Sequence, residues 1–424
     1  MKTFRILAVA LCTAIAGFSA MTLHGQTTSP ALTTQSVGGV SITPGGMLRM
    51  RRAANLGPRR AGDPSLTYVS LPRVFAELKA QSQPAAGGAG ASSLSRDIRY
   101  LKGLTRIDYL FVYPEEHDLV IAGPSEPLNE INPLEPVGTL SGRPAVQVED
   151  LIVALRAVDA NGGDPRNMFG CSLDMAPDAQ KIANAIGQRF GNAPRGQLAE
   201  ELKKALGPQQ VRILGVPADT RVAFAMVSAD YHLKRMCIGI DPVPTVGNAL
   251  GSGLASNRLW FEPAYEPLGV SPDGLSYHLA GPRLKVEAGP QDFVKQGATP
   301  AATAFAKRFS DKMPAVAAQV AAIADLQNLA DEFMVAALIR KDGLEQKAGV
   351  DFSWIRSDAY HVASLQVPQT AETLVSDNGA MIAEGGVKLE SAALAATERT
   401  GDSAKAQALR NRPDSGWFLV KKGK

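Results

Sequence analysis

The residues best suited to chemistry lie in two short clusters and a pair of thiols. Glu115-Glu116-His117-Asp118 gathers three carboxylates and an imidazole at what reads as a hairpin tip. Glu115, His117 and Asp118 are the set that could reach a divalent ion, since carboxylate oxygen and imidazole nitrogen are its usual ligands. A solvated turn between apolar strands has the same polar composition. The second cluster is Asp230-Tyr231-His232, with Lys234 and Arg235 close by. Successive helical residues point about 100° apart, so Asp230 and His232 do not converge on one substrate atom. Asp230 and Lys234, four apart, suit a surface ion pair instead. His278 and His361 stand singly beside Tyr277 and Tyr360.

The familiar catalytic signatures are absent. There is no Gly-x-Ser-x-Gly elbow, no His-Glu-x-x-His helix and no phosphate loop ending in Gly-Lys-Ser/Thr. Gly251-Ser252-Gly253 lacks the flanking strand and helix that a dinucleotide loop requires. Any hydrolase site must therefore be assembled from dispersed residues. No catalytic residue is assigned, and no cofactor is expected.

Lys2 and Arg5, the uncharged run Ile6 to Ala16, and Gly17-Phe18-Ser19-Ala20 have the order of a cleaved secretory signal. The apolar run falls short of the ~20 residues of a membrane span. Cys12 follows Leu11, a bulkier residue than lipid attachment favours. Losing Lys2 and Arg5 takes the formal net charge from +3 to +1, which gives the mature chain no electrostatic reason to seek nucleic acid. Cleavage leaves Cys171 and Cys237, an even pair that is either a disulfide, as export permits, or two buried free thiols.

These residues need a scaffold, and the chain's punctuation suggests one. Residues 1–20 read as the signal peptide and 21–93 as a low-complexity lead-in, with a small hairpin at Val40 to Met50 and a linker at Pro84 to Ser93. Residues 94–245 read as an α/β domain, mixed α+β being the other form. Strands are expected at Thr105 to Val112, Asp118 to Ala122, Pro144 to Val148, Met168 to Leu173 and Val211 to Leu214. Helices follow Glu149, Pro177 and Leu198, and a further one, capped by Asp219, carries the stripe Val222, Met226, Ala229, Leu233, Met236. Residues 246–342 read as a β-meander over Arg258 to Glu287 followed by a long amphipathic helix from Pro314 to Ala337, its acids Asp325, Asp331 and Glu332 on the polar face. Residues 343–424 pattern weakly, with a short strand at Ala363 to Val367 and a helix near Leu389 to Leu409.

The order of segments resembles a known family. Gly38-Gly39-Val40-Ser41-Ile42, Tyr100-Leu101-Lys102-Gly103-Leu104-Thr105-Arg106-Ile107-Asp108-Tyr109, Phe111-Val112-Tyr113-Pro114-Glu115, Asp118 to Pro124, Gly142-Arg143-Pro144, Glu149-Asp150-Leu151, Cys171-Ser172-Leu173-Asp174 and Ala229-Asp230-Tyr231 with Lys234 are similar to an exported planctomycete family known as domain of unknown function 1598. The resemblance spans roughly residues 38 to 340 and implies no catalytic residue. Export, near-neutral charge and missing catalytic motifs lead to the expectation of a non-enzymatic extracytoplasmic binding or assembly module, periplasmic or secreted. Its partner would be a protein or an envelope component, with no nucleic acid and no span after signal cleavage. The alternative is a hydrolase built from dispersed residues.

Overall fold

The computed structural model describes residues 36–37, 40–43, 46–50, 62, 64–82, 94–129, 135–160, 168–194, 196–243, 245–247, 257–289, 298–377, 379–390, 394, 396–400, 403–411 and 417–418. The signal, the linker and the Gly251 loop lie outside them. The described residues all belong to one compact unit of mixed α/β architecture.

Two large sheets organise it. The nine-stranded sheet runs Ser36–Val37, Val40–Ile42, Met47–Met50, Thr370–Ala371, Gln209–Leu214, Met168–Asp174, Ile382–Glu390, Asn257–Ala264, Arg283–Gly289. The seven-stranded sheet runs Arg399–Thr400, Leu268–Val270, Ser276–His278, Tyr109–Tyr113, Asp118–Ser125, Ser65–Ser70, Trp417–Phe418. Most neighbours are antiparallel. Strands from the C-terminal third enter in parallel: Ile382–Glu390 beside Asn257–Ala264, Thr370–Ala371 beside Met47–Met50, Arg399–Thr400 beside Leu268–Val270, and Trp417–Phe418 beside Ser65–Ser70.

Local chemistry explains the hairpins. Tyr109-Leu110-Phe111-Val112-Tyr113 is aromatic and β-branched, which suits a pleated, packed surface; it pairs with the next strand from Tyr109 opposite Ala122 to Tyr113 opposite Asp118. Val40, Ser41 and Ile42 face Met50, Arg49 and Leu48. The meander expected over Arg258 to Glu287 is divided between the sheets. Asn257–Ala264 pairs with Arg283–Gly289 in one, while Leu268–Val270 and Ser276–His278 form a hairpin in the other, around a Ser271 to Gly274 turn in which Gly274 has φ 66°.

Three helices fill the interior. Val148–Ala160 and Arg221–Cys237 both pack against Ala321–Lys341, whose Phe333 ring meets Phe169 of the larger sheet at 4.7 Å. Thr220, rather than Asp219, caps the second helix, its Oγ1 accepting from the Ala223 N–H at 3.3 Å. Asp219 instead accepts from the Ser364 hydroxyl at 2.6 Å. The helix expected from Pro314 is broken into Met313–Ala317 and Ala321–Lys341. No strand forms at 363–367, and the helix expected at 389–409 is replaced by the strand Ile382–Glu390 and the helix Ala404–Arg410.

Candidate functional site

Ala321–Lys341 is the central helix, and every residue from Ala322 to Ile339 is buried. Helices buried all round are normally apolar. This one carries Asp325, Gln327, Asn328, Asp331 and Glu332 inside the protein. The acids expected on a solvent face therefore face the core, where two arginines meet Asp325 and Asp331.

Arg221, the first residue of its helix, donates from Nε to Asp150 at 2.8 Å and from Nη1 and Nη2 to Asp325 at 2.9 and 3.0 Å. Two-pronged contact of this kind is the strongest arginine–carboxylate geometry. Burial pushes the Asp150 carboxyl up to about 6 even with Arg221 pulling it down. Burial works against the Arg221 charge, but Asp150 and Asp325 outweigh it and hold the guanidinium above its usual value. Glu332 sits nearby with neither carboxylate oxygen hydrogen-bonded. Burial, then the Asp150 charge, push it well above the carboxylate range, which favours its neutral form.

Arg283, at φ 65°, organises the second network. Its Nε donates to Asp331 at 3.0 Å, its Nη2 to Asp108 at 2.8 Å and to the Leu279 and Ile107 carbonyls, and its Nη1 to the Gly281 carbonyl. The Tyr265 hydroxyl donates to Asp331 at 3.0 Å, and Arg106 grips Asp108 from Nε and Nη2 at 2.6 and 2.9 Å. Arg143 Nη2 donates to Gln327 Oε1 at 3.0 Å, and Gln327 Nε2 donates to the Pro282 carbonyl at 2.8 Å. Four distant stretches are thus tied to one helix.

The third group corrects the expected surface pair. Asp230 and Lys234 are 0% and 1% exposed. Lys234 Nζ donates to the Leu173 carbonyl and to Gln209 Oε1, and neither Asp230 oxygen has a hydrogen-bond partner. Burial raises Asp230 from 3.8 to about 7 against the opposing Lys234 charge; burial lowers Lys234, against the pull of Asp230. A side chain at Gly385 would collide with Asp230 Oδ1, so the glycine lets the strand lie directly on the pair.

Cys171 and Cys237 are free and buried, so the bridge considered between them is not formed in this structure. Burial, followed by the Asp230 charge, pushes both thiols well above their ordinary value, which leaves them unreactive. At the hairpin tip, Glu115 and His117 are exposed and His117 takes φ 49°. Asp118 turns inward, accepting from the Ser70 hydroxyl at 2.7 Å and pairing with Arg73 at 3.4 Å. Glu115 and His117 stay in the exposed turn while Asp118 opens the buried strand Asp118–Ser125, and among the described residues no three His, Cys, Asp or Glu side chains are grouped to hold a metal ion. Neither arginine network was found by sequence reasoning. The only local signal was a set of acids in an otherwise apolar helical register.

Sheets and charged core together define a mixed α/β protein with a salt-linked interior. Within it, residues 171–248 match the family described as protein of unknown function (DUF1598), which bears out the resemblance over that stretch. The matched segment runs from the strand holding Cys171 through the helix that carries Arg221, Asp230 and Lys234. No curated protein and no solved structure matches the chain.

Proposed function

We propose that the protein is exported and acts outside the cytoplasm as a non-catalytic binding or assembly module for a protein or envelope component. The observation that carries this reading is the use made of its ionisable residues. Asp150, Arg221, Asp325, Asp331 and Arg283 are buried and spent on one another, which is the arrangement of a scaffold rather than of groups free to exchange protons with a substrate. The Lys2 to Ala20 leader supports export. Among the described residues no helix is long and apolar enough to cross a membrane.

Crosslinking followed by affinity capture from the cell envelope tests the reading. Recovery of a defined partner, with a mature N-terminus beginning just past Ala20, is the expected result. Turnover of an ester, glycoside or peptide by the purified mature protein would overturn it in favour of a hydrolase.

A further inference from the structure

One face of the seven-stranded sheet is built of rings. His278, Tyr109, Phe111 and Tyr68 stand in a row, each stacked on the next with centroids 4.9, 5.7 and 5.9 Å apart. Tyr113, Val120 and Ala122 complete the patch, which is a cluster separate from the main core. Leu110 and Val112, alternating with the rings along the strand, point the other way into that core.

The C-terminal part of the chain straps this face. Arg399–Thr400 joins one edge of the sheet and Trp417–Phe418 the other, and the helix Ala404–Arg410 lies on the rings between them. The strap is held unequally along its length. At its root, Arg399 gives Nη1 and Nη2 to Asp342 at 2.8 and 3.0 Å, and the Leu268 N–H donates to the Glu398 carbonyl at 2.7 Å. Over the rings, the seven-residue helix buries Ala406 and Leu409 alone, and a helix that short has little stability of its own. At the far edge, Trp417 and Phe418 pair with two of the six residues in Ser65–Ser70.

What holds the helix is a set of directed polar contacts. The Tyr68 hydroxyl donates to the Leu409 carbonyl at 3.2 Å and the Tyr113 hydroxyl to the Arg410 carbonyl at 3.0 Å, which satisfies carbonyls that a helix end leaves unpaired. Arg410 Nε donates to the Val112 carbonyl at 2.9 Å, with the guanidinium carbon 4.8 Å from the Tyr113 ring centroid. The face thus has fittings for a helix C-terminus, for a cation and, at its edge, for an extended segment.

We propose that the ring face is the docking surface of the module, and that the strap fills it as a stand-in until a segment of a protein partner displaces it. The stand-in defines that segment: a helical turn with a small residue, a leucine three positions on and then an arginine, as in Ala406 to Arg410, leading to an extended aromatic pair, as in Trp417-Phe418. The Arg399 root keeps the displaced strap attached, so the exchange is reversible. The proposal rests on the binding-module reading and adds the surface and the chemistry of the partner.

The test is fluorescence anisotropy of a labelled synthetic peptide of residues 399–418 titrated with the full mature chain, wild type and Arg410→Gln. The substitution weakens the strap but not the peptide, so the peptide should bind Arg410→Gln roughly tenfold or more tightly than wild type. Leu409→Ala loosens the strap through its apolar contact, should act the same way, and covers the case in which Arg410→Gln fails to fold. A peptide carrying Arg410→Gln itself should bind more weakly by a similar factor. Unlabelled wild-type peptide should release a partner captured from the envelope. Equal peptide affinity for wild type and both variants, absence of peptide binding, or a captured partner that saturating peptide leaves in place would each overturn the proposal. Conversion of Arg410→Gln into a dimer in light scattering would assign the face to a second copy and overturn it as well. If the peptide binds nowhere while envelope capture still yields a partner, the strapped docking face falls and the binding module stands.

Discussion

Replacing Asp230 by Asn should make the protein more stable, and only above acid pH. Asp230 is 0% exposed with both oxygens unpaired, and burial raises its carboxyl from 3.8 to about 7. A folded value above the unfolded one means that the native state binds the proton more tightly. The contribution to stability is then fully present below about pH 4, declines as pH rises, and is lost by the time pH passes about 7. At roughly 1.4 kcal/mol per tenfold change in proton affinity, the span from 3.8 to about 7 amounts to about 4 kcal/mol. Asn keeps the shape and neutrality of the protonated acid and has no such loss. Urea unfolding of wild type and Asp230→Asn at pH 4, 5.5 and 8 reads the difference, which should be close to zero at pH 4 and approach about 4 kcal/mol in favour of Asn at pH 8. Equal midpoints at every pH, or a variant weaker at pH 8 than at pH 4, would show that Asp230 is charged and well compensated, and the burial argument would fail.

Other perturbations separate the remaining interactions. Arg221→Met strands Asp150 and Asp325 and should cost about 3–5 kcal/mol in denaturant unfolding at pH 7, with part of that recovered at pH 5 as Asp150 takes up a proton. Thr220→Ala removes a helix cap and should cost about 1 kcal/mol by the same measure. Asp118→Asn should destabilise by about 1–3 kcal/mol through loss of charge towards Ser70 and Arg73, while Glu115→Gln stays within about 0.5 kcal/mol of wild type. Iodoacetamide should leave native Cys171 and Cys237 unmodified and label both after unreduced unfolding, as read by intact mass; a protected pair after unfolding would establish a disulfide.

What could be read from the residues was what is encoded locally. The hairpin from Tyr109 to Ser125 follows from an aromatic run, a Pro114-to-His117 turn and an apolar return. The helix Arg221–Cys237 follows from its apolar stripe, although the cap moved by one residue, because Asp219 had a distant partner in Ser364. The charged core was illegible for the opposite reason. Arg221 lies 104 residues from Asp325 and Arg283 lies 48 from Asp331, so no partner near the acids in sequence tells them from a solvated face. Asp230 and Lys234 have the spacing of a surface pair, and only the sheet laid over them makes them interior.

The parallel strands supplied by the last third of the chain have a kinetic consequence. Asn257–Ala264 stays an open edge on one side until Ile382–Glu390 is available, and the short strand Thr370–Ala371 must reach back to Met47–Met50. Pairings this far apart in sequence form slowly, because loop closure comes before any reward. Both sheets therefore remain incomplete through most of synthesis. A chain that cannot seal its sheets early keeps unpaired strand edges exposed for longer, which is the condition in which one copy can pair with another before either has folded.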